Sequence, residues 1–467
     1  MARSENPLEA EYWLGGVDPR PLAIFRIGVG LSLLHDLVNL AGDVGPFLTD
    51  EGMLPRGDVQ GGTTWSLFDL VSTPAGAWVI LALGAAALVA FTVGWRTRVA
   101  TFAAWVFISS IEHRNHFMAD GGDAITKAML FWALFADLGA AYGVDARRRA
   151  TRVVEVPAFG LRLLQLQVAL LYSGAARVKM RFGWLKQNAV YDAMQIHGFT
   201  RPPGAVLGRF PALCRVGTLV TLAMEAVFPF AVFSPWAIRA CRIAAVVLGL
   251  AIQLLILVTM RVGVFTEVML SCVGLFLLPE WFDAAEARAR ARGWLREDAR
   301  PTSTIAPPRW ANVMYAAVGV QFVLSLWGDA FSRWVTLPAP LAAEVRLLDV
   351  GAAYNMFSTA IDDSRWQGDG VLEDGTHVEV VSVVAPEAAS DAPGWVFSRW
   401  SKVILNEHEA GFPFGPLGAY FCRTFDERRP GSPLQSFTLV DEVTPAHAPG
   451  VTPHVRPVVM WKETCPR

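Results

Sequence analysis

The chain has 467 residues, of which 53% are hydrophobic and only 18% charged, with a formal net charge of -2. Soluble domains average about 45–50% apolar and about 25% charged residues, so an ordinary soluble protein is excluded, and the apolar excess is lopsided, ending near residue 328. With no basic stripe interleaved with aromatics, a nucleic-acid partner is excluded as well. The 17 tryptophans suit a protein that meets two membrane–water interfaces.

Glu5, Glu9, Glu11 and Asp18 stand where a secretory signal would carry a basic region and an apolar core. Residues 1–20 are therefore expected as a cytoplasmic segment, kept in the mature protein. A helix crosses the hydrocarbon core with about 20 mainly apolar residues, each rising about 1.5 Å. Such runs fall near 21–41, 75–94, 98–113, 124–143, 156–178, 211–233, 239–260, 263–279 and 311–328. This predicts a polytopic α-helical domain over 21–328 with about nine transmembrane helices. Only Met260-Arg261-Val262-Gly263 separates the seventh run from the eighth, so a tight hairpin and one broken helix both fit, and eight is the competing count.

Cytoplasmic loops carry the excess of Lys and Arg. Arg147, Arg148, Arg149 and Arg152 follow the fourth run, and Arg288, Arg290, Arg292, Arg296, Arg300 and Arg309 follow the eighth. Nine helices put both clusters inside with the N-terminus, and put residues 329–467 outside, in a bacterial inner membrane. Loop 179–210 runs against the rule with Lys179, Arg181, Lys186, Arg201 and Arg209; either the span count slips there or, the preferred reading, the loop is partly embedded and functional.

Residues 329–467 read as an extracytoplasmic α+β domain. GVLEDGTHVEVVSVV (370–384) predicts a hairpin around Asp374-Gly375. SFTLVDEV (436–443) and RPVVMWKE (456–463) read as strands, and 396–409 and 418–425 as helices. Cys422 and Cys465 are the two cysteines of this region, either disulfide-bonded or both reduced.

Ionisable groups in bilayer segments are costly and hence functional candidates. Arg26 reads as a structural arginine paired with another helix, and Glu225, beside Pro229, reads as its partner or as a cavity group. In the fifth run, Gln165, Tyr172 and Lys179 stand seven apart, on one helical face. Either that face lines a cavity, or Lys179 snorkels to the interface. His113, His116, Asp120 and Asp123 crowd one loop without a strong metal-ligand spacing, so no metal is expected and Asp123 reads as a helix cap.

Four stretches carry a family resemblance: DPRPLAIFRIGVGLSLLHD, RNHFMADGGDAITKAMLFWALFADLGAAYGVD, LLYSGAARVKMRFGW and LAMEAVFPF. In their order they resemble the vitamin K-dependent γ-carboxylase superfamily, specifically bacterial proteins with the horizontally transferred transmembrane (HTTM) domain, over roughly residues 15–280. Aligned on Trp184, the resemblance implies that Lys179 is the base that deprotonates reduced vitamin K or menaquinol. Where the carboxylase has a histidine at the start of its fourth helix, this chain has Gly122, beside Asp123 and out of register with His116. The implied function is carboxylase-like lyase or ligase chemistry: quinol-driven carboxylation of glutamate in a secreted peptide or protein. Its pocket would draw on Gln165, Tyr172, Trp184, Glu225, His116, Asp123 and Arg26. The competing expectation is a non-catalytic membrane factor for maturation or export of a secreted peptide.

Overall fold

A computed structural model of the chain describes residues 5–56, 65–296, 298–306, isolated positions within 310–317, and 361–390, 394–409 and 411–466. Most of the ninth predicted helix, and the boundary expected at 328, lie outside the described residues.

Helix α1 (Ala10–Leu14) and strand β1 (Gly16–Val17) lead into α2 (Arg20–Leu40), which runs on through a short turn into α3 (Val44–Leu48). Next come α4 (Pro74–Val93), α5 (Thr97–Arg114), α6 (Gly121–Ala133) and α7 (Val144–Arg148). Helix α4 starts where the Thr73 hydroxyl accepts from the Gly76 amide and stops at Gly94, whose φ of 71° a side chain would disfavour. Strand β2 (Arg152–Pro157) precedes the long α8 (Ala158–Arg181), followed by α9 (Ala189–Gln195), α10 (Pro202–Leu207), α11 (Pro211–Val232) and α12 (Ile238–Thr259). Helices α13 (Phe265–Val273) and α14 (Pro279–Ala291) and strand β3 (Thr302–Thr304) follow. Strands β1, β2 and β3 form a small sheet in that order, closing one end of the bundle.

Among the described residues, four helical spans are long and apolar enough to cross a membrane: Arg20–Leu48, Pro74–Val93, Pro211–Val232 and Ile238–Thr259. A fifth is reached if the pair Phe265–Phe276 and Pro279–Ala291, bent by 99°, counts as one. The other expected spans are not confirmed among the described residues, and for three of them the reason is identifiable. Helix α6 has 13 residues, about 20 Å of rise against a core of about 30 Å. The eighth run breaks at Leu277 and Leu278, which are extended ahead of Pro279, the residue that opens α14. Helix α8 is long enough, but Arg162, Gln165 and Gln167 dilute its apolar character; all three are buried in protein rather than facing lipid. The outward surface of the bundle is apolar instead, with Leu83 of α4, Phe230 of α11 and Leu254 of α12 exposed.

The C-terminal region is α+β. Strands β4 (Asp363–Leu372), β5 (His377–Glu379), β6 (Leu434–Thr444) and β7 (Arg456–Thr464) form an antiparallel sheet in the order β5-β4-β6-β7. Helices α15 (Arg399–Leu405) and α16 (Phe414–Arg428) accompany the sheet. The hairpin turns at Gly375, with φ 82°, but its return strand is shorter than predicted. After Glu379 the chain turns helical over Val381–Val384, because the Glu379 carboxylate accepts from the amides of Val381 and Ser382 and caps that turn. Cys422 and Cys465 are joined by a disulfide with their Cα atoms 5.5 Å apart, tying α16 to the end of β7.

Arg399 at the start of α15 fixes this region to the bundle. Its guanidinium donates to Asp123 Oδ2 at 2.5 Å and Oδ1 at 3.1 Å, and to Asp36 Oδ2 at 2.9 Å. Asp120 Oδ2 lies 3.9 Å away. The other end of α2 meets different partners, since Arg20 pairs with Asp283 at 2.7 Å. From Arg20 to Asp36 the helix rises about 24 Å, so the C-terminal region and the β1-β2-β3 sheet sit at opposite ends of the bundle.

A second buried acid group lies inside the C-terminal region. The Trp366 indole donates to Glu407 Oε2 at 2.5 Å, and His408 Nε2 stands 3.6 Å from Oε1. Burial, then the charge of the neighbouring Asp441, push the Glu407 carboxyl up from 4.5 to about 9, against the lowering effect of the Trp366 bond. Burial raises Asp441 too, so one proton serves the pair.

Arg399→Met strands three carboxylates in the interior and should cost about 3–5 kcal/mol, read as a fall in the thermal unfolding midpoint in micelles. Because the folded Glu407 value lies above the unfolded one, its contribution is intact below pH 4.5 and fades as pH rises towards 9. Glu407→Gln, an amide in place of the protonated acid, should therefore flatten the decline of the unfolding midpoint across that window.

Candidate functional site

Helix α8 positions the first half of the site. Its run LLYSGAARVK mixes a polar face with Ser173, Gly174, Ala175 and Ala176, small side chains that let α11 pack close. Tyr172 and Lys179, two turns apart, project to the same side and both line a cavity of about 450 Å³. Helix α11 supplies Glu225. Pro229 lacks the N–H that would bond the Glu225 carbonyl, so the helix is weakened at that carboxylate. Helix α12 supplies Gln253, whose Nε2 donates to the Tyr172 hydroxyl at 3.2 Å.

Lys179 Nζ is in direct contact with Glu225 Oε1, each side chain 10% exposed. The same ammonium lies 4.7 Å from the centroid of the Trp184 ring, which closes one side of the cavity. Two acceptors remain without donors among the described residues: Glu225 Oε2 and Gln253 Oε1. The rest of the lining is apolar, including Leu171, Met224, Ile252 and Phe265. A largely apolar chamber with a few convergent polar groups is the ordinary form of a small-molecule site. Leu213, Val216 and Val220 of α11 and Leu255 of α12 line the chamber and are also exposed on the outer surface.

Of the residues singled out from sequence, Lys179, Tyr172, Trp184 and Glu225 come together here. Gln165 does not. One helical repeat before Tyr172, it accepts from Arg162 Nη1 at 2.7 Å and donates to the Leu275 carbonyl at 2.8 Å, a structural anchor. Arg26 is not Glu225's partner. It donates to the carbonyls of Leu138 at 2.7 Å and Tyr142 at 2.6 Å, pinning the loop after α6. Asp123 caps α6 jointly with Asp120 and holds Arg399. His116 packs on Phe117 with ring centroids 4.0 Å apart, outside the chamber.

Sequence reasoning missed three residues. Gln253 is a lone amide in the apolar run LGLAIQLLILV and carried a readable signal. Arg215 donates to the carbonyls of Trp184, Leu185 and Gln187, holding the loop that carries Trp184. Lys402 sits near Asp120 and Glu409, and burial lowers its ammonium despite those acids. Among the described residues, Glu407, His408 and Asp441 group like metal ligands, their nearest atoms within 4.8 Å of one another. This trio lies in the C-terminal region, away from the chamber.

A helical bundle around a buried, apolar, lysine-bearing chamber defines an integral membrane protein with an internal site. The model of the HTTM domain family matches residues 15–281, more than half of the chain, and the chain belongs to that family, a membrane group related to the γ-carboxylases. No curated protein and no solved structure matches it. The chamber residues all lie within the matched stretch, and the C-terminal region lies beyond it.

Lys179→Met leaves the Glu225 carboxyl without its cation in an apolar chamber, which should cost about 3–5 kcal/mol. The double variant Lys179→Met with Glu225→Met removes both charges and should recover most of that loss, in a double-mutant cycle of thermal unfolding in lipid.

Proposed function

We propose that the chain is a γ-carboxylase-like membrane enzyme that binds a reduced naphthoquinone, vitamin K or menaquinol, beside Lys179 and modifies glutamate of a secreted peptide or protein. The observation that carries this is the pair of buried acceptors, Glu225 Oε2 and Gln253 Oε1, left without donors in the chamber that holds Lys179. A hydroquinone brings an apolar ring and two O–H donors, which is what such a chamber lacks, and its volume lies within the usual range of about 300–1,000 Å³. When bound, the quinol supplies the reducing power and oxygen chemistry that generate a strong base.

The chain's own residues would bind, orient and move the first proton. Gln253 fixes the Tyr172 hydroxyl, so the ring has one polar edge to meet. Lys179 Nζ, already touching Glu225 Oε1, passes a proton to that carboxylate and takes the quinol hydroxyl proton in its place. Trp184 covers the nitrogen and keeps water from it. Glu225 is thus a working half of the base, a role the sequence reading left open.

The proposed topology has nine spans in an inner membrane, the N-terminus inside and the C-terminal domain outside. Two features support it. Arg147, Arg148, Arg149 and Arg152 lie at the end of the bundle closed by the small sheet. The disulfide-bonded region docks at the opposite end, and disulfides persist in oxidising compartments. Lys179, 21 residues along α8 from its start, belongs to that second end, where a secreted substrate would arrive.

The Lys179–Glu225 contact also favours a second reading. In a non-catalytic factor for peptide maturation or export, the pair would be a structural ion pair. The two separate when protein in lipid nanodiscs receives reduced vitamin K or menaquinol under oxygen and the quinone epoxide is sought by mass spectrometry. The enzyme reading expects epoxide from the unaltered chain and at least about 100-fold less from Lys179→Met and Glu225→Gln. No epoxide with either quinol from folded protein, or epoxide indifferent to both substitutions, sinks it in favour of the non-catalytic factor.

A further inference from the structure

A second cavity, of about 320 Å³, lies at the opposite end of the bundle, under the small sheet and between α2, α7 and α14. Its walls carry six arginines, Arg20, Arg147, Arg152, Arg290, Arg296 and Arg300, against three acids, Asp18, Glu286 and Asp298. The acids are already engaged. Asp18 holds Arg20 at 2.5 Å, Glu286 meets Arg20 and Arg290 at 3.4 Å, and Asp298 holds Arg300 at 2.6 Å. The side-chain bond from Arg300 draws the Asp298 carboxyl down to about 2, so it is fully charged and fully occupied. Arg147 and Arg296 form no salt bridge among the described residues, and Arg152 has none either, although it lies near enough to Asp298 for its charge to lower that carboxyl.

We infer that this cavity binds a phosphate-bearing anion, and that its source is the headgroup of an anionic lipid. Guanidinium groups clamp phosphate oxygens two at a time, which suits a cavity lined by arginine rather than lysine. Its depth matches the level of lipid headgroups, since Arg20 is both a wall residue and the first residue of the Arg20–Leu48 span. Helix α14 leaves the bundle at 99° to the preceding helix, as an interfacial helix does. Just beyond it Trp294 is 75% exposed, beside the wall residues Leu295 and Arg296, and an indole in that position is a membrane-interface anchor. A lipid seated here would place its phosphate among Arg147, Arg152 and Arg296 and its chains along the bundle.

The full chain in neutral micelles would be titrated with short-chain phosphatidylglycerol, short-chain phosphatidylcholine and inorganic phosphate, reading the thermal unfolding midpoint. Expected is a saturable rise with phosphatidylglycerol alone, weakened on the order of 25-fold in Arg147→Gln with Arg296→Gln. Arg148→Gln with Arg288→Gln, equal in charge change but outside the cavity lining, should leave the titration as it is. An equal rise with inorganic phosphate assigns the site to a free anion and overturns the lipid source. No rise with any ligand, or equal weakening by both pairs of substitutions, overturns the site. Both pairs lie on exposed side chains, and an unchanged midpoint without ligand shows that the variants fold.

Discussion

The docking of the C-terminal region on the bundle depends on one arginine held by acids from two helices and a turn. Arg399 reaches from α15 to Asp36 of α2 and to Asp120 and Asp123 at the start of α6. None of these carboxylates would be stable in the interior alone, and neither would the guanidinium. Burying such groups is costly unless each charge is paired and its hydrogen bonds are met. The arrangement is therefore less a source of stability than of register. Alternative dockings of the C-terminal region would leave four charges in a dry place, so one docking is strongly preferred.

The chamber obeys a different economy. It holds one cation and one anion in contact, and two further acceptors, Glu225 Oε2 and Gln253 Oε1, have no donor among the described residues. Such orphans are uncommon in folded proteins because they forfeit hydrogen bonds to water, and these two are open to any donor that enters the cavity. The basic cavity at the other end shows the converse, with donors in excess of acceptors. The two sites ask for opposite chemistries, and α8 runs from one end of the bundle to the other between them.

How much of this was legible in the sequence follows from the range of each interaction. Local signals read true: apolar runs gave the helices α2, α4, α11 and α12, and Asp374-Gly375 gave the hairpin turn. The seven-residue stripe found Tyr172 and Lys179 but overreached to Gln165, because periodicity reports a face and not which part of it borders a cavity. Apolar content likewise did not announce that α6 would have 13 residues or that the eighth run would bend before Pro279. Long-range pairings were invisible. Arg399 lies 363 residues from Asp36 and 276 from Asp123, and no local pattern in Arg-Trp-Ser-Lys announces them.

The side chains shared by the chamber wall and the outer surface, Leu213, Val216 and Val220 with Leu255, carry a consequence for how occupancy is set. A ligand that crosses that seam comes from the acyl phase, where a greasy molecule is enriched far above its concentration in water. Its local activity is then a mole fraction among lipids. Diluting the aqueous phase barely changes it, whereas adding inert phospholipid lowers it in proportion. Apparent affinity for such a ligand becomes a property of protein and bilayer together, and growing the membrane empties the chamber as surely as withdrawing the ligand.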